Sequence, residues 1–184
     1  MTLTKVTADL IASESITASK MAADAVETAK IKDAAVTQEK VGSGVSGTGP
    51  AFSAYQSSAQ TLSSATIEKL QFQAEEFDTS ACFNSTTNYR FTPTVAGYYF
   101  FNGSMAISSS ATTGFVSFYK NGSEAKRGTY NSASGGVNTI EGTALIYCNG
   151  TTDYVELWGY LGTGQALSAS SVYTYFQGFM VRAA

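Results

Sequence analysis

The first 41 residues carry an apolar side chain at every fifth position. A helix turns about 100° per residue and a strand alternates its faces, so a step of five places successive side chains on different sides of either element. A repeating unit of this kind cannot bury its apolar residue alone and needs neighbouring copies. The pattern therefore predicts a stalk whose inter-chain contacts are made by Val6, Ile11, Ile16, Met21, Val26, Ile31, Val36 and Val41.

Two simpler interpretations of this segment stay open. It could be a disordered tether, or an Ala-rich helix that tolerates the repeat, because Ala, Glu, Lys and Gln favour helices. Residues 1–50 contain no aromatic side chain, and a segment of this composition could not form a globule by itself. The sequence therefore predicts a stalk or anchor at 1–41, a Gly/Ser-rich linker at 42–50 and a globular head at 51–184.

From residue 51 onward the pattern is that of a β protein. Short aromatic or β-branched runs alternate with clusters of Gly, Asn, Ser and Thr about every ten residues, which is typical of a sandwich or jelly roll. The Asn-Gly pairs at Asn121 and Asn149 predict tight turns. Residues 98–101 are all aromatic, which predicts a strand covered on both faces, by the core or by a neighbouring subunit. The predicted strands are 51–56, 66–72, 87–91, 96–107, 114–120, 138–148, 153–161 and 172–182.

Several of these strands resemble those of a known family in the right order. The segments are Ala51-Phe-Ser-Ala, Asn88-Tyr-Arg-Phe-Thr-Pro, Ala96-Gly-Tyr-Tyr-Phe-Phe, Val116-Ser-Phe-Tyr-Lys-Asn-Gly, Asp153-Tyr-Val-Glu-Leu-Trp and Thr174-Tyr-Phe-Gln-Gly-Phe-Met-Val. Together they resemble the complement-q-type globular head of the tumour-necrosis-factor jelly-roll superfamily. The resemblance implies a mostly β, ten-stranded jelly-roll sandwich that assembles as a homotrimer through aromatic faces, often at the end of a trimeric stalk. The repeat before the head resembles segments of bacteriophage tail and head fibre proteins.

Composition removes several classes of partner. Only 14% of the residues are charged, the net charge is −3, and no basic run is present, so we expect no nucleic-acid partner. No stretch approaches the length of apolar residues that a membrane span needs, and no signal peptide is visible. Cys82 and Cys148 are too few for a disulfide framework, and they are interpreted as buried free thiols or as one bridge.

Catalytic chemistry has few candidate residues in this chain. It contains no histidine, so a His-based triad or a His metal cluster is impossible. Glu75, Glu76 and Asp78 form the only acidic cluster of the head, and two such carboxylates could cleave a glycoside. Adjacent strand residues point to opposite faces, however, so Glu75 and Glu76 should not converge. We therefore expect no enzyme activity, no cofactor and no metal site.

Loops are the expected place for ligand contacts in such a head. The candidate loops are 108–114, 128–136 and 162–171, and within them Tyr130, Asn131 and Gln165 offer ring stacking and hydrogen bonding of the kind that carbohydrate recognition uses. The same residues also suit ordinary polar loops. Trp158 is expected in the core or a subunit interface, and Lys126-Arg127 in a solvated loop.

Together these features lead to a functional expectation. The chain is expected to be a structural virion protein of a bacteriophage, a homotrimeric fibre or spike exposed on the particle surface. Its N-terminal segment would contact other virion proteins, and its knob would bind a host-surface glycan or protein. Two alternatives stay open: a head decoration protein without a receptor role, and a glycan-cleaving spike.

Overall fold

The computed structural model describes residues 49–107, 112–133 and 138–184, together with Thr17 and Ile31. The chain divides into two units, Met1–Gly42 and Ser43–Ala184. Ile31, one of the expected stalk contacts, has an exposed side chain. The other seven expected stalk contacts lie outside the described residues: Val6, Ile11, Ile16, Met21, Val26, Val36 and Val41. Parts of two candidate loops, 108–111 and 134–136, also lie outside them.

The described part of the second unit is built from strands and contains no helix. Aromatic and β-branched residues dominate the longer strands, and such side chains fit a pleated, half-buried surface. The strands are β1 (Ala51–Gln56), β2 (Thr61–Leu62), β3 (Thr66–Lys69), β4 (Ala74–Asp78), β5 (Phe83–Asn84), β6 (Arg90–Phe91), β7 (Ala96–Ile107), β8 (Thr112–Lys120), β9 (Ser123–Arg127), β10 (Asn131–Ala133), β11 (Asn138–Asn149), β12 (Val155–Leu161), β13 (Gln165–Ala166) and β14 (Ser170–Ala183).

These strands form two larger antiparallel sheets. The five-stranded sheet has the order β11-β7-β14-β1-β4. The six-stranded sheet has the order β10-β8-β12-β6-β5, with β9 paired to β8. A two-stranded sheet joins β13 to β2, and β3 lies beside β12, where the Leu70 N–H donates to the Leu157 carbonyl over 2.9 Å.

The core between the two large sheets is rich in aromatic rings. Phe52 of the five-stranded sheet stacks on Phe83 and Phe91 of the six-stranded sheet, with centroid distances of 4.9 and 4.6 Å. It also meets Phe176 edge-on at 5.0 Å. Such pairs add to the free energy gained from area burial, so this group fixes how the two sheets face each other.

The structure confirms the long strands and corrects the short ones. β1 and β7 have the predicted bounds, and β11 is one residue longer than predicted. The predicted strand 87–91 shrinks to β6, because the Asn84 side chain accepts hydrogen bonds from the Thr87 and Asn88 N–H groups and holds a turn there. Instead of ten strands, fourteen are described, and five of them have only two or three residues: β2, β5, β6, β10 and β13.

Both Asn-Gly pairs lie at turns, as predicted, with Asn149 as the last residue of β11. Asn121 and Gly122 have φ values of 52° and 79°, and Lys120 pairs with Ser123, so this two-residue loop joins β8 to β9. Two successive positive φ values are the signature of a type I′ hairpin turn. Gly150, with φ of 73°, lies between β11 and β12.

Candidate functional site

The five-stranded sheet carries an apolar surface on the side turned away from the core. Leu145, Phe100, Phe179 and Ala51 are successive cross-strand partners, and such partners share one face of a sheet. Leu145 is 55% exposed and Phe179 is 51% exposed. The outer face of this sheet, called the apolar face below, carries the exposed large side chains of Phe77, Tyr98, Leu145, Tyr147 and Phe179.

A polar row crosses the middle of the apolar face. Thr143, Asn102, Gln177 and Ser53 are successive cross-strand partners. The Gln177 amide donates to Asn102 Oδ1 over 3.3 Å, and the Asn102 amide donates to the Gly142 carbonyl over 3.4 Å. A pocket of about 220 Å³ lies beside this row and is lined by Ala51, Phe52, Phe77, Phe100, Asn102, Gln177, Gly178 and Phe179. The face therefore combines exposed rings with a few oriented amides.

The outer face of the six-stranded sheet carries a different group of rings. Phe115 and Tyr160 stack at 4.9 Å with an interplanar angle of 10°, and Tyr119 and Trp158 stack at 4.6 Å. Tyr130 lies 5.8 Å from Phe115 and 6.3 Å from Tyr160, at 37° to both rings. These five residues, Phe115, Tyr119, Tyr130, Trp158 and Tyr160, are called the ring cluster below.

The structure does not place Trp158 in the core, which is one of its two expected positions. It is half-buried in the ring cluster, outside the core and on the sheet opposite the apolar face. Its indole N–H donates to the Glu156 carboxylate over 3.0 Å, and Lys69 Nζ contacts the same carboxylate at 3.2 Å. Glu156 is only 5% exposed, so its charge is held by these two partners rather than by water.

A second ion pair lies at the other side of the ring cluster. Arg127 donates from two nitrogens to both oxygens of Glu124, over 2.6 and 2.7 Å, while Ser117 donates to Glu124 Oε1 over 2.6 Å. The hydrogen bonds from Arg127, followed by the one from Ser117, lower the pKa of Glu124. The Arg127 guanidinium also lies 4.2 Å above the Phe115 ring, which is cation–π geometry. Lys126 and Arg127 thus belong to β9 and not to a solvated loop.

The structure brings two of the three predicted ligand residues together. Tyr130 precedes β10, is exposed, and donates its hydroxyl to Thr113 Oγ1 over 3.0 Å. Asn131 begins β10 and pairs with Gly114 of β8. Gln165 belongs to β13, where it pairs with Leu62 in the separate two-stranded sheet.

Sequence reasoning missed the other members of the ring cluster. Phe115, Tyr119 and Tyr160 lie in strands that carry apolar side chains on both faces, so a period of two does not reveal the outward face. The available signal was the repeat of ring or polar residues at every second position of β8 and β12.

The acidic cluster of the head holds structural contacts. Asp78 accepts hydrogen bonds from the Phe83 and Ser80 N–H groups, over 2.6 and 3.2 Å. Glu76 accepts one from Ser53 Oγ over 2.8 Å, while Glu75 pairs opposite Ala54. The Glu76 and Asp78 carboxylates therefore serve separate local contacts, and Glu75 is exposed, so the three do not converge on a shared site.

Neither a metal centre nor a membrane-spanning helix is found in the described ranges. Among these residues, no three or more His, Cys, Asp or Glu side chains form a group that could hold a metal ion. Within the same ranges, no helix has the length and apolar character needed to cross a membrane.

Comparison with known proteins gives matches in structure only. No protein-family model matches the sequence, and no curated protein matches it. The globular domain of zebrafish complement 1qA protein is similar, with 16% identity and a TM-score of 0.52, and covers 74% of this chain and 99% of that chain. Murine APRIL at pH 5.0 has 11% identity and a TM-score of 0.55, and the match covers 72% of this chain and 99% of the APRIL chain. Eiger TNF from S. frugiperda has 8% identity and a TM-score of 0.53, and the match covers 74% of this chain and 95% of the Eiger chain. The chain therefore has a jelly-roll fold of the kind found in complement C1q and TNF domains.

Proposed function

We propose that this protein is a structural component of a bacteriophage particle, a homotrimeric fibre or spike whose jelly-roll knob contacts the host surface. The observation that carries the proposal is the apolar face of the five-stranded sheet. Soluble monomers rarely expose so many large apolar side chains together, and such patches mark interaction surfaces. The C1q-type and TNF-type heads that the sequence resembles assemble as homotrimers, which supports self-association through this face.

The distribution of side chains on the apolar face suits a closed cyclic assembly of subunits. Leu145 and Tyr147 lie on the edge strand β11, whereas Phe77 lies on the opposite edge strand β4. In a cyclic assembly, one edge of each copy meets the other edge of the next copy. Because apolar side chains lie at both edges, three copies could cover every apolar edge. Phe100 and Phe179, which lie between the edges, would then be turned inward.

The N-terminal repeat supports the same copy number and the viral context. Its apolar residue at every fifth position needs neighbouring chains for burial. A trimeric head would supply those chains at the point where the stalk joins it. The resemblance to phage fibre repeats makes the stalk the segment that contacts other virion proteins, with the knob exposed on the particle surface.

The mass of the purified full chain tests the assembly. Light scattering should give three times the 19.3 kDa of one chain. Phe179→Ser and Leu145→Ser should lower the oligomer mass, because each places a hydroxyl in a buried apolar contact. Tyr130→Ser, on the opposite sheet, is the matched control and should leave the mass unchanged. A monomer at all concentrations would overturn the trimer.

The particle itself tests the biological role. A label on this protein should appear on the surface of purified virions, and an excess of purified trimer should slow adsorption of the phage to its host. A label on the head together with unchanged adsorption would favour a decoration protein instead. Absence of the protein from purified particles would contradict the proposal as a whole.

A further inference from the structure

We propose that the ring cluster, with Tyr130 as its outermost member, binds a neutral oligosaccharide. This inference rests on the proposed function, because it names the ligand class and the place of host contact on the knob. The site lies on the six-stranded sheet and is separate from the apolar face that the trimer would bury.

Tyr130 has the properties of a prearranged stacking platform. It is 56% exposed, the largest value among the aromatic side chains of the apolar face and the ring cluster. Nevertheless its ring is held by the 3.0 Å hydrogen bond to Thr113 and by contact with both Phe115 and Tyr160. A ring that is already fixed loses little conformational freedom when a sugar stacks on it, so more of the contact energy appears as affinity.

Fixed polar groups lie beside the rings. Arg127 stacks on Phe115 and forms a bidentate ion pair with Glu124, and its side chain is still half exposed. The Glu124 carboxylate is also held by Ser117. A small-molecule site typically joins apolar rings with a few oriented polar groups. Sugars present C–H faces and hydroxyls that both donate and accept, so this combination suits them.

The charges of the ring cluster favour a neutral ligand. Arg127 is paired with Glu124 at 2.6 Å, and Lys69 is paired with Glu156 at 3.2 Å. Both of these positive groups are therefore compensated by a carboxylate, so neither offers an unpaired charge to sulfated or sialylated sugars. An acidic glycan would leave its own charge without a partner.

The size of the cluster favours a small ligand over a protein. The rings span residues 115–119 along β8 and three neighbouring strands across the sheet, β10, β8 and β12, which is about 13 Å by about 10 Å at normal strand spacing. This footprint is far below the roughly 800 Å² per partner that a specific protein–protein interface buries. A di- or trisaccharide fits such a footprint, and three copies on one trimer would raise its avidity.

Trp158 provides a direct readout of binding. It is the only tryptophan of the chain and lies inside the ring cluster, 4.6 Å from Tyr119. The full chain would first be screened on an array of neutral and acidic glycans. The strongest neutral hit would then be titrated while tryptophan fluorescence and saturation-transfer NMR are recorded. We expect a saturable signal, and Tyr130→Ala should weaken binding at least about tenfold.

Three matched variants give the result its specificity. Tyr130→Phe keeps the ring and should retain most of the binding, which separates stacking from misfolding. Tyr98→Ala removes an exposed ring from the apolar face and should leave binding unchanged. Phe179→Ser breaks the proposed trimer, and each chain should still bind, although with lower avidity. Sugar binding by a natural chain that is monomeric at all concentrations would therefore contradict the assembly and not the sugar site.

Three results would overturn the sugar site at the ring cluster. Hits confined to acidic glycans, or no hit together with silent fluorescence and NMR, would overturn the proposal. Binding that Tyr130→Ala leaves unchanged would place the sugar elsewhere and would also overturn it. Saturable binding of a peptide at Trp158 with no sugar response would assign the ring cluster to a protein partner instead.

Discussion

Asp153 shows how one buried carboxylate organises two turns of the head. It is 7% exposed, and its oxygens accept from Lys120 Nζ at 2.8 Å, the Asn121 amide at 2.7 Å and the Asn149 N–H at 2.9 Å. Asn149 returns the contact, because its side-chain oxygen accepts from the Asp153 N–H over 3.0 Å. Burial alone would raise the pKa of Asp153, but the hydrogen bonds from Lys120, Asn121 and Asn149 outweigh it and lower the pKa.

Replacing this carboxylate should lower the stability of the fold and make that stability less dependent on pH. We expect Asp153→Asn to lower the free energy of unfolding by about 2 kcal/mol at pH 7, because Lys120 loses its counter-charge. The folded pKa is lowered, so the carboxylate stabilises the fold above the unfolded pKa of about 3.9. That contribution is lost as the pH falls through the folded pKa.

Urea titrations at pH 7 and pH 3 measure this difference. The difference in the free energy of unfolding between the natural chain and Asp153→Asn should be smaller at pH 3 than at pH 7, since the carboxylate then begins to bind a proton. Glu75→Gln changes an exposed carboxylate of β4 and serves as the control, with an expected effect within about 0.5 kcal/mol. A gap that stays constant with pH would show that Asp153 acts through shape and not through charge.

At the scale of the element, two turns with the same dipeptide have different surroundings. Gly122 and Gly150 both follow Asn and both have positive φ, 79° and 73°. A Cβ added at Gly122 would have Tyr154 Oη as its nearest neighbour, at 3.6 Å. A Cβ added at Gly150 would lie 2.3 Å from the Ala96 backbone nitrogen. The hairpin turn is therefore open, whereas the second turn packs against the start of β7.

The two glycines should respond differently to the same substitution. Gly122→Ala costs only the left-handed backbone conformation, and we expect a loss of about 1 kcal/mol in the free energy of unfolding. Gly150→Ala adds a clash with backbone that cannot rotate away, and we expect a loss of about 3 kcal/mol or more. Thermal and urea unfolding of the two variants side by side measure both values. Equal losses would argue against the close packing at Gly150.

These elements also show how far the sequence could predict the fold. β1 and β7 were predicted to the residue, because strong apolar runs end at clear turn signals. The sequence does not predict β9 and places Arg127 in a loop, because all five side chains of that strand are exposed and give no alternation. It identifies Tyr130 as a ligand candidate but not the rings that support it, since the outward direction of those rings depends on which sheet packs behind them.

At the scale of the whole molecule, the two outer faces have different surfaces. The face of the five-stranded sheet exposes Leu145 and Phe179 in a broad apolar area, which suits contact with further copies. The face of the six-stranded sheet holds its rings between two ion pairs, Arg127–Glu124 and Lys69–Glu156, which suits a small polar ligand. One sandwich can therefore use one face for assembly and the other for recognition.

The two cysteines report whether the sandwich unfolds as one unit. Both are buried free thiols: Cys82 precedes β5 of the six-stranded sheet, and Cys148 lies in β11 of the five-stranded sheet. Burial raises the pKa of the Cys148 thiol to about 11, so little reactive thiolate forms near neutral pH. Thiol reagents should therefore reach these side chains only when the surrounding core opens.

Labelling of single-cysteine variants tests this cooperativity. Cys82→Ala and Cys148→Ala each leave one thiol, and in the native state both should resist a disulfide reagent for as long as the core is intact. As urea is raised, the two remaining thiols should become reactive along the same curve, because rings such as Phe52 tie both sheets into one core. If Cys82, the thiol left in Cys148→Ala, becomes reactive at a much lower urea concentration than Cys148, the six-stranded sheet opens separately. The description of a single core would then be wrong. Mass spectrometry of the natural chain, unfolded without reductant, should show two alkylated cysteines; a single intramolecular disulfide would contradict the free thiols.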